Sequence, residues 1–298
     1  MIVCLASATN SSSNYQFFFD QSEMDYNKLC SNLPDWCNCN NNPIDSPYEF
    51  ECSHDDIELK VGINLSDDMI YLIYIHCVNV SSFKLFPDLT DYFGFSEIIF
   101  MNCMVPRNGS IKQLTTKISK KVRNLWIFID NEEMNLKFDK NYFEGLSSLE
   151  RLNLYVIPNI SADIIEIHFK LKNMFLEYTP IPNNTSIFDT LENLQTFTIY
   201  SNFDIEIQSS DFKNLKNLVQ LYIFCSDNCS KCSLDPFIFE NLVNLRILQI
   251  TNFRIPGIKL ANMMNLQQVR LAKTDFKELP EDFFKNSTKI SPGIDSNW

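Results

Sequence analysis

Apolar positions along the chain fall into a phrase that repeats. F-x-x-L-x-x-L occurs at Phe143-Leu146-Leu149, Phe188-Leu191-Leu194, Phe212-Leu215-Leu218 and Phe239-Leu242-Leu245. Each copy runs on as L-x-x-L-x-L or a near variant: Leu149-Leu152-Leu154, Leu194-Phe197-Ile199, Leu218-Leu221-Ile223 and Leu245-Leu248-Ile250. Leu171-Met174-Leu176 and Leu266-Val269-Leu271 keep only the second half. Phe95-Ile98-Phe100 and Val122-Leu125-Ile127 fit more loosely. The anchors at 95, 122, 149, 171, 194, 218, 245 and 266 stand 21 to 27 residues apart.

That period is the one of leucine-rich repeats. In L-x-x-L-x-L three apolar side chains enter the core of a short strand and the x positions stay outside. The preceding Phe and Leu fill the same core from the opposite wall. One repeat cannot bury its own apolar face, so the repeats must stack. The pattern predicts an α/β solenoid, a right-handed leucine-rich-repeat horseshoe with parallel strands on its concave face. Strands of three to five residues are expected through Leu149–Leu154, Leu194–Ile199, Leu218–Ile223 and Leu245–Ile250. The turn asparagine expected eight residues after the anchor is present once, as Asn202. Irregular turns are therefore expected.

The outward positions can be read off directly. One set is Ile99, Trp126, Asn153, Phe175, Thr198, Tyr222, Gln249 and Arg270. The other, two residues on, is Met101, Phe128, Tyr155, Glu177, Tyr200, Phe224, Thr251 and Ala272. Trp126, Phe128, Tyr155, Phe175, Tyr200, Tyr222 and Phe224 form an aromatic stripe along the predicted face. A contiguous aromatic patch marks a protein interface. A register slip in the loose early repeats would instead put Trp126 or Phe128 inside.

Composition narrows the function. A net charge of -12 argues against a nucleic-acid partner, which needs a basic face. The longest uncharged apolar run, Met69–Val78, is too short to span a membrane. The six glycines are scattered, which excludes GxGxxG, the phosphate-binding P-loop and GxSxG. His54, His76 and His168 sit in no metal-ligand or catalytic spacing. Neither an enzymatic activity, a cofactor nor a metal site is expected.

The ten cysteines are uneven. Cys30, Cys37, Cys39, Cys52, Cys77 and Cys103 form an N-terminal group that reads as a disulfide framework of an oxidising compartment. Cys225, Cys229 and Cys232 form a second cluster, in which one local disulfide and one leftover cysteine are expected. The leftover has three outcomes: a bond to another chain, a bond to Cys4, or a free thiol. Candidate N-glycosylation sites are Asn64, Asn79, Asn108, Asn159, Asn183, Asn184, Asn228 and Asn286, with one more at Asn10. Residues 1–22 read as a partial signal peptide or leader, with Ala6-Ser7-Ala8 as a small-residue site. Residues 23–103 read as a cysteine-rich cap with a first irregular repeat, 104–290 as leucine-rich repeats, and 291–298 as an unassigned tail. The chain reads as a piece of something longer.

The N-terminal pattern resembles the cap of insect Toll receptors, in the Toll-like receptor family. The matching features are Cys30, Cys37-Asn38-Cys39, Tyr48-Glu49-Phe50-Glu51-Cys52, Cys77 and Cys103-Met104-Val105-Pro106. Leu279-Pro280-Glu281-Asp282-Phe283-Phe284-Lys285-Asn286-Ser287-Thr288 has the same look. The resemblance implies the N-terminal part of a receptor ectodomain that binds a Spätzle-type cystine-knot cytokine in innate immune and developmental signalling. It further implies a plasma-membrane location and dimerisation for the full-length receptor, whose span and cytoplasmic TIR domain this chain lacks. The chain as given would be extracellular. A secreted leucine-rich-repeat adhesion or matrix protein without signalling is the alternative.

Overall fold

The computed structural model describes residues 26–39, 48–54, 57–65, 71–79, 88, 97–103, 115, 117, 122–129, 140–143, 145–157, 160, 170–181, 188–255, 260 and 263–275. The leader at 1–22 and the tail at 291–298 lie outside the described residues.

The first half of the repeated phrase is a run of tight turns. The Leu146 N–H donates to the Phe143 carbonyl at 3.2 Å, and the Leu149 N–H to the Leu146 carbonyl at 3.0 Å. The same two bonds recur through Phe188-Leu191-Leu194, Phe212-Leu215-Leu218 and Phe239-Leu242-Leu245. Each joins residue i to i−3, the 3-10 spacing, in which side chains three apart lie on one side. That is why Phe, Leu and Leu recur every third residue. In these four copies each is at most 3% exposed. Leu260, Met263 and Leu266 make the same pair of bonds at 3.1 Å each, so that copy is complete although it lacks the Phe.

At the anchor leucine the period changes from three to two. The described residues form α1 Tyr26–Asn32, β1 Cys37–Cys39, β2 Tyr48–His54, β3 Ile57–Leu65, β4 Tyr71–Asn79, β5 Glu97–Met101, β6 Asn124–Phe128, β7 Arg151–Tyr155, β8 Asn173–Glu177, β9 Thr196–Ser201, β10 Glu206–Ile207, β11 Gln220–Cys225, β12 Ser233–Leu234, β13 Ile247–Thr251 and β14 Gln268–Ala272. Twelve of the strands make one sheet in the order β1-β2-β3-β4-β5-β6-β7-β8-β9-β11-β13-β14. From β4 onward every neighbour is parallel and in step, so the fold is a leucine-rich-repeat solenoid. The small β10–β12 pair forms a second parallel ladder on the return path.

The repeat strands begin two residues after the anchor. The anchor N–H is used by the last tight turn. The next two N–H groups then converge on one carbonyl of the preceding coil: Glu150 and Arg151 both donate to Arg123, at 2.7 and 2.9 Å. Lys172, Gln195 and Val219 take the same double bond in later coils. Pairing is thus fixed before the strand proper starts. The inward residues Leu152, Leu154, Phe197, Ile199, Leu221, Ile223, Leu248 and Ile250 are 0–1% exposed.

The turns after the strands are more regular than the missing asparagine predicts. Seven residues past the anchor the backbone is left-handed at Asn102, Val156, Tyr178, Asn252 and Lys273, with φ of 54°, 55°, 49°, 60° and 50°. Of the three strands without this turn, β9 and β11 run on to six residues and β6 stops at five. Asparagines do form a ladder, but just before the anchor. Asn217, Asn244 and Asn265 donate from Nδ2 to the carbonyls of Glu192, Lys216 and Val243 of the preceding coil, at 2.8, 2.8 and 3.0 Å. At the expected position Thr179 substitutes, its Oγ1 accepting from the buried Ile157 N–H at 3.2 Å.

Val156 is the odd member of the left-handed set, because a β-branched side chain is strained there. Val156→Asn is expected to stabilise the fold by about 1 kcal/mol. Thermal denaturation would show a melting temperature raised by about 2–4 °C. An unchanged or lower value would mean that Val156 packing outweighs the backbone strain.

The cap continues the sheet with a change of direction, β1 to β4 being antiparallel. Its six cysteines bond among themselves. Cys30–Cys39 ties α1 to β1, Cys37–Cys52 crosses β1 and β2, and Cys77–Cys103 joins β4 to the turn after β5, with Cα separations of 5.9, 4.0 and 4.8 Å. Gly62 lies opposite Tyr74 in the β3–β4 pair, and the Tyr74 ring fills the space a Cβ would need. The Tyr74 hydroxyl donates to Glu49 on β2, so one ring spans three cap strands.

Candidate ligand-binding face

The in-step pairing turns the outward positions into two straight columns. One runs Trp126, Asn153, Phe175, Thr198, Tyr222 and the other Phe128, Tyr155, Glu177, Tyr200, Phe224, each residue paired with the next across the sheet. Trp126 and Phe128 lie outside the core, because they alternate along β6 with Leu125 and Ile127, which are 0% exposed. All seven stripe aromatics are half-buried.

A continuous line of rings follows the second column, entered from Trp126 and carried past Glu177 by Tyr178. Trp126 stacks on Phe128 with centroids 6.2 Å apart and planes within 2°. Phe128 meets Tyr155 at 5.2 Å, Tyr155 meets Tyr178 at 5.7 Å, Tyr178 meets Tyr200 at 5.2 Å, and Tyr200 meets Phe224 at 6.0 Å. Such edge-to-face and tilted pairs hold rings in place beyond simple burial. Trp126 is fixed at its other end, its Nε1–H donating to Glu97 at 2.7 Å. Tyr178 is the member the sequence pattern misses. It follows the column position, Glu177, and sits in the left-handed turn. The available clue was an aromatic directly after the one acidic break in an aromatic column.

Phe175 and Tyr222 stand differently. Among the described residues neither ring stacks on another. They lie two strands apart with Thr198 between them, and Phe175 lies two strands from Trp126 with Asn153 between. Two strands are roughly 10 Å. The first column is therefore a row of aromatic knobs with small polar floors. Asn153 is 7% exposed, and its Nδ2 has no hydrogen-bond partner among the described residues.

The electrostatics centre on Glu177. Burial among these rings holds its carboxyl above the usual carboxylate range. Burial also pushes the Tyr178 hydroxyl up to about 12, helped by Tyr200 and by the Glu177 charge. A carboxyl whose folded pKa is raised stabilises the fold fully below its unfolded pKa and loses that contribution as pH rises through the folded value. Glu177 is then an unfavourable charge at neutral pH. Glu177→Gln is expected to raise the melting temperature at pH 7 and to change little at pH 3. An equal gain at both pH values would assign the effect to packing.

The second cysteine cluster lies beside the end of this face. Cys225 closes β11, next to Phe224, and bonds to Cys232. Cys229, one of the three cysteines grouped as disulfide candidates, is the leftover and carries a free thiol, because three sulfurs meet and only two can join. The three sulfurs are close enough to surround a metal ion, but with two of them bonded one thiol remains to donate. Of the candidate glycosylation sites, Asn228 is exposed. Asn64 and Asn79 lie in β3 and β4, where the backbone alone is described. Asn10, Asn108, Asn159, Asn183, Asn184 and Asn286 lie outside the described residues.

Among known proteins, it is the solved structures that bear on the fold. No family model matches the chain. It is 23% identical over 169 residues to human Toll-like receptor 8, covering 50% of this chain and 16% of the receptor. It is 26% identical over 111 residues to a putative glycylpeptide N-tetradecanoyltransferase of Amsacta moorei entomopoxvirus, covering 35% of this chain and 37% of that protein. Two solved structures of the Drosophila Toll–Spatzle complex, one of them the glycosylated form, superpose with TM-scores of 0.56 and 0.57. They are 17% and 18% identical and cover 89% of this chain but only 35% and 39% of theirs. The chain thus spans well under half the length of the proteins it matches, and it shares the Toll-type leucine-rich-repeat fold.

Proposed function

We propose that this chain is a ligand-binding section of a Toll-type extracellular receptor, and that its aromatic face holds a protein ligand of the Spätzle cystine-knot type. The observation that carries the reading is the unbroken line of rings from Trp126 to Phe224 on the strand face. Aromatic side chains give large contact area at small entropic cost and dominate interface energetics. Three cap disulfides and a solenoid fold shared with Toll support an oxidising, extracellular setting. Among the described residues no helix is long and apolar enough to cross a membrane.

The face also implies what the ligand brings. Glu177 lies between Tyr155 and Tyr200 in the column and beside Tyr178, with a carboxylate that burial disfavours. A ligand lysine or arginine there would neutralise the carboxylate and lie against tyrosine faces, a recognised cation–π arrangement. The net charge of -12 would speed the approach of such a basic surface. The direct test is surface plasmon resonance or calorimetry of the 298-residue chain against a Spätzle-type dimer. Saturable binding that weakens with added salt supports the reading. No binding at micromolar concentrations to this dimer removes it.

A further inference from the structure

The second cysteine cluster has a chemistry of its own. The Sγ atoms of Cys225, Cys229 and Cys232 all lie within 4.8 Å of one another. They crowd around a single carbonyl oxygen, that of Phe203, at 3.9 Å from Cys225, 3.3 Å from Cys229 and 3.5 Å from Cys232. Whichever sulfur carries the proton therefore finds the same acceptor. The loop that carries Cys229 is held independently of the disulfide. The Asp204 carboxylate accepts the N–H groups of Ser230 and Lys231 at 2.7 and 2.8 Å and the Ser230 hydroxyl at 3.2 Å. Cys225 and Cys232 are each 4% exposed, whereas Cys229 is only half-buried.

We propose that these residues form a thiol–disulfide exchange site: one disulfide shared among Cys225, Cys229 and Cys232, open to solvent at Cys229, where a low-molecular-weight disulfide leaves a mixed disulfide on the protein. The internal step needs no outside oxidant. The Cys229 thiolate attacks Cys232 Sγ, a Cys229–Cys232 bond forms and the Cys225–Cys232 bond breaks. Cys225 leaves as a thiolate and takes the proton that Cys229 gave up. Attack on Cys225 Sγ releases Cys232 in the same way. Exchange is a thiolate attack on a neighbouring disulfide, and holding the groups together raises its rate greatly. In the outward step the Cys229 thiolate attacks one sulfur of a small disulfide such as oxidised glutathione. A Cys229–sulfur bond to one glutathione forms, and the other leaves as its thiolate and is protonated.

The test uses the oxidised full chain, oxidised glutathione, and mass spectrometry of the intact protein and its peptides. Counted on the peptides that carry Cys225, Cys229 and Cys232, so that Cys4 does not enter the tally, the wild-type chain should take up one glutathione, on Cys229. Cys225→Ser and Cys232→Ser should each take up essentially none, because Cys229 forms the vacated bond with the remaining partner. If either variant instead takes up two, the sulfurs act separately and the shared bond is refuted. If the native wild-type chain takes up none, the opening at Cys229 is refuted. A second measurement needs no variant. Acid quenching and alkylation of the untouched chain should label Cys225 and Cys232 in minor fractions beside Cys229. Label on Cys229 alone would show a fixed bond and overturn the proposal.

Discussion

Replacing Tyr155, Phe175 and Tyr222 together by alanine is expected to weaken binding of a Spätzle-type dimer by well over tenfold while the fold stays intact. The three occupy different mechanical settings. Tyr155 is gripped between Phe128 and Tyr178 at 5.2 and 5.7 Å, so it is presented rigidly. Phe175 and Tyr222 stand over Asn153 and Thr198 without ring partners among the described residues, so they can enter a ligand surface as knobs. One interface anchor is typically worth about 2 kcal/mol or more. That alone is roughly thirtyfold in affinity. The sheet should survive, because the inward Leu154, Met174, Leu176, Leu221 and Ile223 beside these positions are at most 2% exposed and untouched. Titration calorimetry for binding and far-ultraviolet circular dichroism for folding decide the matter. Unchanged binding would move the interface off the strand face. Loss of folding would mean that the rings hold the sheet rather than a ligand.

The largest expected loss of stability lies a few ångströms below that face. Phe197 is 0% exposed and packs against Phe188 at 5.1 Å and Phe212 at 5.8 Å, with Phe188 and Phe212 6.1 Å apart. The triangle joins the turn and strand of one coil to the turn of the next. Truncating a buried Phe to Ala costs about 3–5 kcal/mol in transfer and cavity energy. A domain has only about 5–15 kcal/mol to lose. Phe197→Ala should therefore lower the melting temperature by roughly 10 °C or more. Because a solenoid is held by nearest-neighbour contacts, the damage should spread to adjacent coils. Phe197→Leu, which keeps most of the volume, should cost far less. A drop of under about 1 kcal/mol in the alanine variant would show that the coil can collapse onto the gap.

Much of the solenoid is legible in the sequence, for a reason the bonds make plain. A three-residue spacing is the signature of stacked 3-10 turns and a two-residue spacing that of a strand. Both are written directly in the apolar positions from Phe143 to Leu154 and in each later copy. The strand starts were read two residues early because a leucine that ends a turn looks the same as one that begins a strand. The turn after the strand escaped notice because backbone geometry, not side-chain identity, repeats there. Asn102, Val156, Tyr178, Asn252 and Lys273 share a left-handed φ and no chemistry. The columns of the face follow from register alone, so Trp126 to Phe224 could be placed in advance. Tyr178 could not, since its reach into the column depends on that turn. The state of Cys229 was equally hidden, because three cysteines at these spacings allow three pairings and only distance separates them.

The fixed length of the repeated phrase has a consequence for how such a chain can change. Anchors are 21 to 27 residues apart, yet the L-x-x-L-x-L stretch from the anchor to the last inward strand residue has the same length in every copy. All the variation in coil length is absorbed between the end of one strand and the tight turns that open the next. One residue inserted between Leu152 and Leu154 would exchange the inside and outside of that strand. The same residue added on the return path, outside the small β10–β12 ladder, would only lengthen a loop. The two sides of each coil are thus open to different kinds of novelty. The strand face can acquire new partners only by exchanging one side chain for another at fixed positions. The back can acquire whole new segments, so new attachments and new glycan sites have room to arise there without disturbing the face.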